Sequence, residues 1–316
     1  MKMGFCQRGI AEMKTAVVGT VFVDVKGFSQ VPYVPTGTNP GRVEIMHGGV
    51  SRNVCENFGQ QGMQASFISM TDNTALGRDV RDKLARLDVD LKHTIYAEDG
   101  MGMWMAILDQ RGDLVGSISK QPNFAALEDY LDENIDKALE DCGAVVLEID
   151  TTERIAQTVL DAAERLSKPV YVITANMVVI MRRPEFLRRV RCFICNEIEA
   201  GKLMGADLSD KTPEEMKAVL ADAMARYGIA SMVITMGGRG AVYCDVDGAP
   251  GYVEAIPSRV VDSTGAGDAF FSGTVMALNS GLPLEKAVRI GTRLASATLA
   301  SKTSCCGKLE GLFDIG

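Results

Sequence analysis

Residues 261–273 read VDSTGAGDAFFSG. The small residues Gly265, Ala266 and Gly267 open a segment with the composition of a buried helix, running from Gly267 to Leu278 and ending near NSGLP. Backbone N–H groups and the helix dipole at such a start attract an anion. Asp268 nevertheless puts a carboxylate into that first turn. Phosphoryl transfer to an alcohol accounts for both features. It needs hydrogen-bond donors for the charge on the moving group and a carboxylate within reach of the attacking hydroxyl. Asp268 supplies the carboxylate, and the amides of Gly265, Ala266 and Gly267 supply the hollow. The dipole should keep Asp268 ionised. An isolated Asp at this position more commonly just stabilises a helix start, and composition alone leaves the two roles even. The segment is not a Walker A loop, because no Gly-Lys-Ser/Thr follows, and not G-x-G-x-x-G, because position 270 is Phe.

Cys192 and Cys195 form a C-x-x-C, but they sit in VRCFICN, which reads as a strand. Residues three apart on a strand point to opposite faces, so the two thiols do not share a metal. The eight cysteines are scattered through apolar segments, and the only histidines are His47 and His93. This pattern fits reduced, buried thiols rather than a disulfide frame or a zinc site.

The elements that must position Asp268 follow from periodicity. Short β-rich runs occur at 15–21, 65–70, 144–149, 169–174, 192–195 and 231–235, and amphipathic segments such as TTERIAQTVLDAAERLS lie between them. Such alternation predicts an α/β fold: a doubly wound, mostly parallel sheet flanked by helices. Residues 22–46 and 93–120 break the rhythm with extended runs and turns such as DQRGD at 109–113, which predicts a small β-sheet lid over the carboxyl ends of early strands. In MGMWMAIL, alternation puts Met101, Met103 and Met105 on one face of this lid and Trp104 on the other. Thioethers or an aromatic ring there would cover a nucleobase, or would simply pack in the lid or in a contact between two lids. The lid's exposed edges suggest a homodimer formed through it. The domain is expected to span 13–316, with 1–12 as an N-terminal extension.

Bulk composition narrows the partners. The chain has 316 residues, 47% apolar and 23% charged, which is enough for a full core. A net charge of −8 leaves no basic field for a nucleic acid. No apolar run approaches the roughly 20 residues that cross a bilayer, and the N-terminus lacks a signal peptide's long apolar middle, so a cytoplasmic protein without membrane contact is expected. A small-molecule partner remains.

DSTGAGDAF closely resembles the C-terminal signature of the ribokinase-like, or PfkB-type, sugar and nucleoside kinases. Ser263 stands where that pattern has Thr, and it keeps the hydroxyl. The resemblance implies Asp268 as catalytic base and Gly265, Ala266 and Gly267 as the anion hole. HGGVSRNVCENFGQQG (47–62) resembles the family's N-terminal signature, which implies that Gly48, Gly49 and Asn53 meet the acceptor substrate. AVVGTVFVDV places Asp24 five residues after Gly19, where the family has an Asp that holds substrate hydroxyls. A carboxylate can accept two hydroxyl protons from one diol, and Asn offers a donor and an acceptor together. CNEIEAGKL resembles the family's Asn-x-x-Glu motif, which implies Asn196 near the phosphates and Glu199 near Mg²⁺. VITMGGRGAVY, with Thr235, Gly237 and Gly240, is similar to the stretch that lines the ATP phosphates.

The resemblance spans residues 15 to about 300 and implies ATP and Mg²⁺, with K⁺ as a candidate monovalent cation. Departures are Val50, where ribokinase has Lys, and the unusual LASKTSCCGKL expected on the adenine side. Arg52 is near the missing Lys but need not point to the site. The Asn-Pro-Gly turn and Gly-Gly-Val-x-Arg-Asn resemble the pseudouridine kinase branch most, which makes a pseudouridine kinase-like activity the first expectation. Fructose or ribose is the rival acceptor, and a non-catalytic metabolite sensor on the same fold is the alternative of a different class.

Overall fold

The computed structural model describes residues 13–314. The extension expected at 1–12 lies outside them. In chain order, β1 (Lys14–Val18), β2 (Phe22–Ser29) and β3 (Gly41–Gly48) lead into α1 (Val50–Gln60), β4 (Ala65–Thr71), α2 (Ala75–Ala85) and β5 (Thr94–Tyr96). Next come β6 (Gly102–Leu108), β7 (Leu114–Lys120), α3 (Ala125–Leu139), β8 (Cys142–Glu148), α4 (Glu153–Arg165), β9 (Val170–Ile173) and α5 (Val178–Arg182). The chain continues with β10 (Cys192–Asn196), α6 (Glu197–Met204), α7 (Pro213–Tyr227), β11 (Ser231–Thr235), β12 (Ala241–Asp245), β13 (Gly251–Val253), α8 (Ala266–Asn279) and α9 (Leu284–Leu299).

Nine strands form one sheet in the order β13-β12-β11-β10-β9-β8-β1-β4-β5. All its pairings are parallel except those of β12 with β11 and β13. Helices cover both faces, as a parallel sheet requires. Alternation along each strand feeds two cores: Ala16 and Val18 pack into one, Val17 into the other. Cys192 and Cys195 divide in the same way, so the C-x-x-C is two core thiols on opposite faces. Helix starts follow capping chemistry. Thr152 caps α4, and Thr212 forms a capping box with Glu215 ahead of Pro213 in α7.

β3-β2-β6-β7 form the separate four-stranded lid. Its bounds differ from expectation at two points. β3 runs on to Gly48, and Thr94–Tyr96 pairs with β4 in the main sheet. That three-residue strand is too short to show a period, and its turn-rich flanks make it look like lid sequence. The register puts Phe22, Asp24, Lys26, Met46 and Trp104 on one lid face. Met103 and Met105 lie on the other face and are exposed, while Met101 precedes β6 and is buried in a core. The alternation of Trp104 against Met103 and Met105 therefore holds. The ring turns towards the main domain, and these two thioethers turn away from it.

Among the described residues, seven cysteines are free and buried, and no helix is long and apolar enough to cross a membrane.

Candidate active site

The site forms where the parallel strands end and the lid begins. Thr20 follows β1, Glu148 ends β8, Ala175 follows β9, and the three line a hollow of about 220 Å³. The lid contributes Phe22, Asp24, Met46, His47 and Gly48 to its walls; Gly49, Val50, Asn53, Thr264, Asp268 and Ser304 complete them. A second hollow of about 160 Å³ is lined by Thr174, Asn196, Glu199, Thr235, Gly267 and Asp268, with Phe270 and Phe271 behind. Asp268 belongs to both walls. Ligands bind at the carboxyl ends of strands in open α/β sheets, and both hollows are there.

Gly265 sets the loop. Its φ of +81° caps α8 in the left-handed region, and a Cβ there would run into the backbone of Ser304. The Ala266 N–H turns back on the Ser263 carbonyl at 3.3 Å. The N–H groups of Gly265, Gly267 and Asp268 donate to no described protein acceptor. Of the three amides expected to form an anion hole, that of Ala266 is engaged and those of Gly265 and Gly267 are open, as is the Asp268 amide beside them.

The Asn53 side chain donates to Asp268 Oδ2 at 2.6 Å, tying the N-terminal signature to the C-terminal one. Burial pushes the Asp268 carboxyl up to about 7, opposed by the Asn53 hydrogen bond and reinforced by the negative charge of Glu148. The helix dipole therefore does not decide its protonation, contrary to the expectation from sequence. Asp24 is also raised by burial, against the charges of Lys26 and Arg52. A Cβ on Gly48 would sit 2.6 Å from the Asp24 carboxylate, so only glycine leaves that group its place. Lys26 reaches from the lid to Thr264 at 3.3 Å and links the lid to the loop that precedes α8.

Asn196 and Glu199 form a capping box at the start of α6, with Asn196 Oδ1 accepting from the Glu199 N–H and Glu199 Oε2 accepting from the Asn196 N–H. This leaves the other Glu199 oxygen for the hollow. Burial raises the Glu199 carboxyl. Among the described residues no cluster of three His, Cys, Asp or Glu is present. A hydrated Mg²⁺ needs only one or two carboxylates when phosphate oxygens and waters complete its shell, and this donor set fits it. Thr235 ends β11 beside the same hollow. Gly237 and Gly240 shape the turn into β12 and line neither hollow.

Sequence reasoning missed Glu148. It is fully enclosed, accepting from the Thr20 N–H (2.9 Å), the Thr20 hydroxyl (2.9 Å) and the Ser51 N–H (3.2 Å), and burial raises it. A lone carboxylate closing the apolar run AVVLEI was the available signal. Ser304 was missed too. LASKTSCCGKL folds under Gly265 and against α1, where Ser304 donates to Asn53 Oδ1 at 2.9 Å.

Residues 13–309 match the model of the pfkB family carbohydrate kinases, and the chain belongs to that family. It is a carbohydrate or nucleoside kinase. It is 36% identical over 290 residues to the guanosine-inosine kinase of Exiguobacterium acetylicum, covering 91% of this chain and 95% of the relative. It is 25% identical over 286 residues to the pseudouridine kinase of Escherichia coli, covering 90% of each. The fold superposes on Arabidopsis thaliana ribokinase complexed with ribose and ATP with a TM-score of 0.82 at 19% identity, covering 96% of this chain and 99% of the other.

Proposed function

We propose that this kinase moves the terminal phosphoryl group of ATP to a primary hydroxyl of a nucleoside. The observation that carries the reading is the placing of Asp268 in the common wall of two adjacent hollows. An acceptor in the lid-side hollow meets Asp24, Gly48, Gly49 and Asn53, and the phosphates lie in the hollow of Asn196, Thr235 and Gly267. Asp268 takes the hydroxyl proton as the new O–P bond forms and the bond to ADP breaks, and the free N–H groups of Gly265, Gly267 and Asp268 hold the moving charge. Mg²⁺ held through Glu199 would neutralise phosphate charge there. Gly237 and Gly240 act by shaping the turn beside this site.

A nucleoside is favoured over a free sugar because the two relatives described above, which match about nine-tenths of this chain at 25% identity or more, act, by name, on nucleosides. Guanosine or inosine is the preferred acceptor, on the 36% relative. Pseudouridine is the second reading, carried by the Gly-Gly-Val-x-Arg-Asn signature and the 25% relative. Phe22, Met46 and Trp104 on the inner lid face give a base an apolar wall.

The partner through the lid is a second copy of the chain. One row of the outer face runs Ile45, Val25, Met105 and Ile118 across all four strands, and Ile45 and Ile118 are 57% and 67% exposed.

The test is ADP release with guanosine, inosine, pseudouridine, ribose and fructose, for the native chain and Asp268→Asn. A nucleoside should raise turnover in the native chain only. Failure of every acceptor would favour the sensor, and full turnover by Asp268→Asn would remove Asp268 as base.

A further inference from the structure

Arg52 is wholly buried, an unusual state for a guanidinium, and it is not part of either hollow's lining. Its Nε donates to the Gly48 carbonyl at 3.1 Å, and its remaining N–H groups reach Glu56, the His47 carbonyl (2.7 Å), Asn53 Oδ1 and Ser304 Oγ (3.1 Å). Glu56, also buried, takes a second cation from α2, Lys83 at 2.7 Å. The charge is therefore compensated on the side away from the site.

The consequence falls on Asn53. Its Oδ1 accepts from both Arg52 and Ser304, so the amide has one satisfiable orientation, with its NH₂ directed at Asp268 Oδ2. Turned over, it would set its NH₂ against the guanidinium and its oxygen against a carboxylate. We propose that Arg52 is the positioning residue of this active site: by holding the carbonyl side of the Asn53 amide, it turns the NH₂ onto Asp268 and so aims the base. This rests on Asp268 as the base. Lys cannot replace the guanidinium, because a single ammonium cannot span Glu56 and Asn53 with a planar fork.

The test compares steady-state kinetics of Arg52→Lys, Arg52→Met and the charge-balanced pair Arg52→Met with Glu56→Met, each alone and combined with Asn53→Ala, with Asp268→Asn in parallel. Misaiming the base should lower kcat about 10- to 100-fold while the KM for ATP stays unchanged. The same Arg52 changes should cost little more once Asn53 is Ala, because their effect passes through that amide. If Arg52→Met does not fold, the lysine variant and the paired variant decide. Native kcat in a folded Arg52 variant, or an equal loss with and without Asn53, would overturn the proposal and leave Arg52 a packing residue. An active Asp268→Asn would instead defeat the base assignment itself.

Discussion

Replacing Asp268 by Asn should remove activity and stabilise the fold, and the stabilisation should depend on pH in a defined way. The carboxyl lies in the wall between the two hollows, beside Asn53; Asp268 is partly exposed there, and burial lifts its carboxyl from 3.8 to about 7. One pKa unit corresponds to about 1.4 kcal/mol of differential stability. Because the folded value lies above the unfolded one, the native state binds the proton more tightly. The protonated form's contribution is fully present below about pH 4 and is lost as pH rises to 7. Asparagine resembles the neutral acid and does not titrate. The stability of Asp268→Asn minus that of the native chain should therefore grow by about 1.4 kcal/mol per pH unit across that window and level off above it. Between pH 5 and pH 8 the gain comes to about 3 kcal/mol, a large part of the roughly 5–15 kcal/mol typical of a folded protein. Taking the difference cancels the groups that do not act on Asp268, whereas Glu148 and Glu199, whose charges raise it, enter the difference through that coupling. Urea unfolding at pH 5, 6, 7 and 8, without nucleotide or acceptor, measures it. A difference independent of pH, or one that shrinks as pH rises, would show that Asp268 is solvated at rest and would refute the claim that burial sets its protonation.

The same burial predicts that kcat/KM for the acceptor rises with pH through about 7 as Asp268 ionises, and an acid limb near 4 in a pH-rate profile would contradict this. Gly265→Ala should lower stability by more than about 1 kcal/mol and lower turnover as well, since φ is +81° and the new methyl meets the Ser304 backbone; thermal melting with native-like Tm would exclude it. Asp24→Asn should raise the acceptor KM by 10-fold or more while the KM for ATP stays put, and equal shifts in both would place Asp24 outside acceptor binding. Ile45→Lys with Ile118→Lys should give a monomer in sedimentation where the native chain sediments as a dimer, with activity measured alongside; an unchanged sedimentation coefficient would rule out the lid as the contact.

What was legible in the sequence was whatever a local pattern records. Six β-rich runs became strands of the main sheet, and strand alternation placed Cys192 and Cys195 in different cores and Trp104 opposite Met103 and Met105. Thr94–Tyr96 was lost to the lid because three residues carry no period. Asp268, Asn53 and Glu199, which the local signatures single out, line the hollows, but the signatures do not record what they meet. Glu148 is bound by Thr20, 128 positions away, and Arg52 meets Ser304 across 252, separations that no window reads. Gly237 and Gly240, also prominent as a pattern, stand in the turn that joins β11 to β12.

The protonation of Asp268 shows why the remainder needed coordinates. A helix N-terminus favours a nearby carboxylate by about 0.3–1 kcal/mol at an exposed site, and from sequence this was the only effect in view. Burial can raise a carboxyl by several units, each worth about 1.4 kcal/mol. The larger effect wins, but the groups that set the balance come from three distant segments: Glu148 on β8 and Glu199 on α6, whose charges raise the carboxyl further, and Asn53 on α1, whose hydrogen bond opposes them. The motif can be written in seven residues, whereas the environment that lifts its last carboxyl towards neutral pH cannot. A base at about 7 is half ionised at neutral pH, so it is available to take a proton and basic enough to hold one, which a carboxylate at its ordinary value would do far less well. On the proposal that Asp268 is the base, the burial that costs the fold stability is the same burial that would suit it to that task, and the urea series and the pH-rate profile should turn at the same pH.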